Sequence, residues 1–174
     1  MARTSLIAAM LETRGDETGA KMSEADAEGQ LAAFLARFTP EIGALASEAI
    51  GKLRRRLPGA TIMVYDNYNA LAVGFGPNDR ASQAVLSIAV FPRRVALFLL
   101  RGVGLPDPHG LLEGAGNQVR SITLATPATL DGPHVIDLIQ AALARAPSRV
   151  PTDPQGPLVI KSISAKQRPR RPAS

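Results

Sequence analysis

Apolar residues recur every three or four positions from Leu31 to Leu53, first as Leu31, Phe34, Leu35 and Phe38, then as Ile42, Leu45, Ala46, Ala49, Ile50 and Leu53. Two amphipathic helices follow from that spacing, because residues three and four apart share one helical face. Ser23, with Asp26 three residues on, has the form of an N-terminal cap and starts the first helix. Thr39-Pro40 closes it and opens the second, since Thr accepts from exposed backbone amides and Pro suits the first helical position. The basic run Lys52 to Arg56 falls in the last turns, where positive charge complements the helix dipole, and Leu57-Pro58-Gly59 ends the helix.

Past this stop the period becomes two. The runs ATIMVYD, ALAVGF, AVLSIAVF, VALFLL and VRSITL are short and rich in β-branched or aromatic residues, and turn-forming segments join the first four. The fourth run is apolar on both faces, which predicts a central strand. Asp131 is placed to cap a final helix, whose apolar face is Val135, Leu138, Ile139, Ala142 and Leu143 and which Pro147 stops. The pattern predicts an α+β domain with two N-terminal helices, a five-stranded, mainly antiparallel meander sheet and a C-terminal helix packed on one sheet face. Residues 1–22 lack a sustained period and read as a flexible arm with at most a short helix near Leu6 to Leu11. Residues 23–146 form the domain, and 147–174 a Pro-rich basic extension. Within that extension LVIKSIS either adds an edge strand or stays loose, and the basic residues after it are expected to be disordered.

A length of 174 residues with 45% hydrophobic side chains suits one globular domain. The absence of Cys excludes disulfides, thiolate metal ligation and Cys nucleophiles. No apolar run reaches the roughly 18 residues of a membrane-spanning helix, and the N-terminal apolar stretch is short for a secretory signal, so a cytoplasmic location is expected. The net charge of +5 is unevenly placed: from Pro147 onward six basic residues stand against Asp153, whereas residues 1–146 carry 14 of each sign. The charge therefore directs attention to the tail. Lys161, Lys166, Arg168, Arg170 and Arg171 are candidates to hold nucleic acid or another acidic partner by counterion release, although the tail has no aromatic residue to stack on bases. The competing reading is a solubilising end.

Between the fourth and fifth strands the connection is long, with two Pro and three Gly from Leu105 to Gly116. Asp107, Gly114, Gly116, Asn117 and Arg120 are candidate ligand-binding residues here, since exposed loop amides beside a guanidinium suit a carboxylate or phosphate. The alternative is a structural crossover in which Leu111 and Leu112 plug the core; the spacing matches neither a phosphate loop nor a dinucleotide fingerprint. The segment YDNYN holds both tyrosines, and if its tip approaches the Gly-rich loop, Tyr65, Tyr68 and Arg120 would wall a small-molecule pocket. Otherwise it is a turn. His134 with Asp137, and His109 between Asp107 and Glu113, are sparse ligand sets for a metal. No nucleophile–base–acid set and no G-x-S-x-G elbow can be assembled, which favours a non-enzymatic binding protein for a small ligand or a protein.

The order helix, T-P-E-x, helix, L-P-G-A, strands, then Leu105-Pro106-Asp107-Pro108, Gly110-Leu111-Leu112, Gly114, Gly116 and Arg120, strand, helix resembles the YdhG-like superfamily, bacterial domains of unknown function sometimes described as frataxin-like. The resemblance spans about residues 24–146, and YDNYNALAVGFGP and KSISAKQRPRRP look like a subgroup with this extension. It implies a compact α+β domain and, by analogy with some relatives, iron handling for iron–sulfur assembly. Iron would need converging carboxylates, for which the candidates are Glu24, Asp26 and Glu28 with Glu12, Asp16 and Glu17. This chain has Gly116-Asn117-Gln118-Val119-Arg120-Ser121 where many relatives carry G-x-G-K-x-x-R-H, so the Lys and His of that loop are missing.

Overall fold

The computed structural model describes residues 22–174. The arm expected at the N-terminus, with Glu12, Asp16 and Glu17, lies outside the described residues except for Met22. Helix α1 spans Glu24–Ala36 and starts at Ser23, whose Oγ accepts from the Asp26 amide. Helix α2, Pro40–Arg56, starts at Thr39, whose Oγ1 accepts from the Ile42 amide. Strands β1 (Thr61–Asp66), β2 (Leu71–Gly76), β3 (Leu86–Phe91), β4 (Arg94–Leu99) and β5 (Arg120–Leu124) pair antiparallel, each with the next. Helix α3, Pro133–Ala144, follows.

The sheet has a sixth strand and is mixed. Strand β6, Leu158–Ile163, comes from the Pro-rich extension and runs parallel to β1, giving the order β5-β4-β3-β2-β1-β6. The edge-strand reading of LVIKSIS is therefore the one realised. Its register is set where the extension crosses the turn after α2: the Gly156 amide donates to the Pro58 carbonyl at 2.9 Å, and the Ile62 amide to the Pro157 carbonyl at 2.9 Å.

Two further expectations are corrected. Strand β4 lies one strand in from the β5 edge, not at the centre; it is apolar on both sides because both faces of the sheet are buried. Asp131 does not cap α3. It ends a short 3-10 turn, Pro127–Asp131, and Gly132 precedes the helix. Two cations of α2 take its carboxylate instead, Lys52 Nζ at 2.7 Å and Arg56 Nη2 at 2.5 Å. Each of these bonds pairs opposite charges, whereas a backbone amide cap would supply only a dipole. The hydrogen bond from Lys52, joined by the charges of Lys52 and Arg56, holds the Asp131 carboxyl below its ordinary value.

The three helices cover one sheet face, where Leu31, Phe38, Ile50, Leu53, Leu138 and Ile139 meet the inward residues of the strands. The extension passes tightly against the body at Gly156, where a Cβ would overlap the Ala60 carbonyl. Backbone cannot swing aside as a flexible side chain can. Gly156→Ala is expected to cost about 2–3 kcal/mol of stability in urea unfolding. Gly29→Ala, in α1 with open space around it, is expected to stabilise by about 0.5–1 kcal/mol through helix propensity.

Candidate functional site

Strand β1 ends in Asp66, whose side chain is completely withdrawn from water. A buried carboxylate requires partners, and two guanidinium groups provide them. Arg37, just after α1, donates from Nη1 to Oδ2 at 3.0 Å; Arg170, four residues from the C-terminus, donates from Nη2 to Oδ1 at 2.8 Å. Arg170 is itself only 4% exposed, also donates to the Asn67 carbonyl, and lies over the Phe38 ring at 5.6 Å. The tail was expected to be disordered; instead it is bound across the β1–β2 tip. The Ser164 and Arg168 amides donate to the carbonyls of Asp66 and Tyr68, each at 2.9 Å, Gln167 Nε2 donates to the Asp66 carbonyl at 3.0 Å, and Arg171 reaches the Arg37 and Ala36 carbonyls. The sequence signal for this latch was Asp66 itself, an acid at the end of a largely apolar strand.

The five basic tail residues thus divide. Arg170 is consumed inside the fold, while Lys166, Arg168 and Arg171 are exposed and Lys161, on β6, is half-buried. Register sets Asp66, Leu71, Val90, Val95 and Leu124 at one end of the sheet. The β3–β4 turn therefore projects from the same end as the β1–β2 tip, bringing exposed Arg93 and, over the Phe91 ring at 4.6 Å, Arg94. Segments 67–70, 91–94 and 164–174 contain no Asp or Glu. At this basic end Tyr68 is 46% exposed, with the Arg168 guanidinium 5.5 Å from its ring centre.

The pocket imagined between YDNYN and the Gly-rich loop is not formed. That loop leaves β4 after Leu99 and enters β5 at Arg120, the opposite end of the sheet from Asp66. The separation is about 13 Å along the strands and about 15 Å across them. Alternation along β1 also turns Tyr65 onto the face away from the helices, where it is buried, while Tyr68 stands in solvent. Burial first, then the negative charge of Asp79, pushes the Tyr65 hydroxyl up to about 12.

The polar residues of the loop serve the loop. Asp107 accepts from the Leu111 and Leu112 amides, both at 2.9 Å, and Arg120 donates to the carbonyls of Gly116 and Val119 at 2.6 and 2.8 Å. Gly114 sits at φ +131°, where side chains are disfavoured. Glu113 exchanges two backbone hydrogen bonds with Ser121, so the loop returns along the outer edge of β5 and covers a row of groups that would invite strand addition. Asn117 is exposed.

The carboxylates chosen for iron do not converge. At about 100° per residue, Asp26 faces away from Glu24 and Glu28; Asp26 is engaged by Ser23 Oγ, and Glu28 pairs with Arg54 at 2.6 Å. His109 and His134, distant in sequence, have ring centres 3.5 Å apart tilted by 31°. Stacked rings direct their in-plane nitrogens sideways, away from a shared ion. Among the described residues no group of three or more His, Cys, Asp or Glu is arranged for a metal. A cavity of about 240 Å³ lies beside the extension, lined by Arg54, Leu57, Ile62, Thr152, Asp153 and Gln155; its cation is the one paired with Glu28. Among the described residues no helix is long and apolar enough to cross a membrane.

Comparison of the chain with models of known families, with curated proteins and with solved structures finds no match.

Removing the Asp66 charge leaves Arg170 buried and uncompensated, so Asp66→Asn is expected to lose about 3–5 kcal/mol in denaturant unfolding. Adding Arg170→Met should recover part of that loss, a non-additivity that a double-mutant cycle measures. Tyr65 is neutral in the fold and its folded value lies above the ordinary 10.0. Its contribution is thus complete below pH 10 and is lost as the pH rises towards about 12. Alkaline unfolding monitored by circular dichroism should show this loss, and Tyr65→Phe should remove it.

Proposed function

We propose that this protein is a non-enzymatic binding domain that takes a single nucleic-acid strand across the basic end of its sheet. The observation that carries this reading is the tail bound over the β1–β2 tip, which holds Lys166, Arg168 and Arg171 on a fixed surface beside Arg93 and Arg94. Fixed cations release counterions from a phosphate backbone without first being ordered. Tyr68 supplies the aromatic face that the tail lacks in sequence, and base–aromatic stacking is tolerant of base identity. The resemblance to YdhG-like domains and a cytoplasmic location belong to the same proposal; the resemblance carries no enzyme activity with it. A small-ligand role for the Gly-rich loop and an iron role for Glu24, Asp26 and Glu28 receive less support, because those side chains are engaged within the fold or diverge.

Fluorescence anisotropy with a labelled oligothymidine tests the proposal. Five phosphate contacts predict that affinity falls about 100-fold between about 50 and about 200 mM salt. Arg93→Glu with Arg94→Glu should weaken binding at least about tenfold and flatten the salt dependence by one to two contacts. Tyr68→Ala should cost about 1–3 kcal/mol on the single strand and little on a duplex. Salt-insensitive binding, or binding unchanged in the double Arg variant, would overturn the reading; equal attraction to anionic vesicles with no Tyr68 effect would assign the surface to lipid instead.

A further inference from the structure

The cavity beside the extension is bordered by an arch of chain with both feet fixed. At one foot Gly59 passes so near Pro151 that a Cβ on the glycine would overlap the Pro151 carbonyl; at the other Gly156 stands in the same relation to Ala60. The Gly156 amide adds its bond to the Pro58 carbonyl at 2.9 Å. Residues 152–155 therefore run between two backbone crossings, and the space of about 240 Å³ that they border is preformed. Its walls differ in chemistry. Leu57, Ala60 and Ile62 line it from the body, and the last two belong to the core. Thr152, Asp153 and Gln155 line it from the arch, and all three are exposed. Arg54 adds a guanidinium, 2.6 Å from the Glu28 carboxylate.

We propose that this cavity binds a free amino acid with an apolar side chain, held as its zwitterion. The lining asks three things of one ligand: an apolar body against Leu57, Ala60 and Ile62, an anionic group for Arg54 and a cationic group for Asp153. Glu28 meets Arg54 through Nη2; a guanidinium has five donors, so a ligand carboxylate joins this pair without displacing Glu28. Charge then decides between ligand classes. Arg54, Glu28 and Asp153 together leave one negative charge in excess, so a phosphate or a simple aliphatic acid enters an environment already acidic, and a simple amine meets the Arg54 cation. A ligand carrying both charges complements both. Among the described residues no aromatic side chain lines the cavity, so a base or sugar ring finds no stacking partner. Size sets the upper bound. At about 30 Å³ per water the volume equals about eight waters, which suits a ligand of about eight to ten non-hydrogen atoms, such as leucine or isoleucine, and is too small for a nucleotide. The cavity lies at the Thr61 end of β1, about 17 Å along the strand from Asp66, so this inference stands or falls separately from nucleic-acid binding.

Titration calorimetry of the full-length protein with L-leucine tests this, and saturable binding with a Kd below about 1 mM is expected. Three probes each remove one feature: L-leucinamide lacks the carboxylate, isocaproate lacks the ammonium, and L-glutamate lacks the apolar side chain. Each should bind at least about tenfold more weakly than leucine. Arg54→Met should abolish the distinction between leucine and leucinamide, and Asp153→Asn that between leucine and isocaproate. A variant that merely loosens the fold weakens all probes alike and does not produce this pairing. Absence of saturable heat with leucine would overturn the proposal. So would isocaproate or leucinamide binding as tightly as leucine, which would reassign the cavity to a simple acid or a simple amine, and so would equal affinity for glutamate. Amide chemical shifts of the unsubstituted protein give an answer even if the variants fold poorly: leucine should perturb residues 54–62 and 152–156, and perturbations centred elsewhere would refute the site.

Discussion

Asp66 places a carboxylate where water cannot reach it, and the arrangement of the chain around the end of β1 answers that demand. An isolated buried charge is far too costly to persist, so the fold must bring cations to it. One comes from Arg37 at the end of the helical layer and the other from Arg170 near the C-terminus. The carboxylate thereby ties together a helix end, a hairpin tip and a tail separated from the tip by about a hundred residues. Neighbouring backbone bonds from Ser164 and Arg168 then order the intervening tail against the tip. An extension rich in Pro and charge, which would not collapse by itself, becomes part of the body because one of its cations is required there.

The same requirement sorts polar residues into those that hold the fold and those left to meet a partner. Asp107, Arg120 and Asp131 lie in segments whose composition suggests ligand chemistry, yet each is occupied by backbone groups or by cations of α2. The Gly-rich loop has a structural task in covering the outer edge of β5. Arg93, Arg168 and Arg171 stand exposed on one end of the sheet. The chemistry available to a partner is thus cationic and aromatic, and it is gathered by tertiary structure from two hairpin turns and a tail.

Two helices, a meander and a closing helix were legible because their signals are local. Ser23 and Thr39 cap the helices that follow them, and the change from a period near four to a period of two marks the start of the sheet. The candidate site was less legible. YDNYN and the Gly-rich loop were both visible as unusual segments, but whether they meet depends on strand register, which places them at opposite ends. The stacking of His109 on His134 has no sequence signal, since 24 residues and a strand lie between them.

The helices, the five antiparallel strands, the neutrality of residues 1–146 and the basic character of the tail can be read along the chain, because caps, periodicity and formal charge are properties of neighbouring residues. Tertiary structure decided that LVIKSIS joins β1 in parallel, that Arg170 is buried while Arg168 is displayed, and that Tyr68 stands beside that displayed charge. Those outcomes turn on the burial of Asp66 and on close approach at Gly156. Both are contacts between segments far apart along the chain, whose energies exist only once the sheet has brought them together.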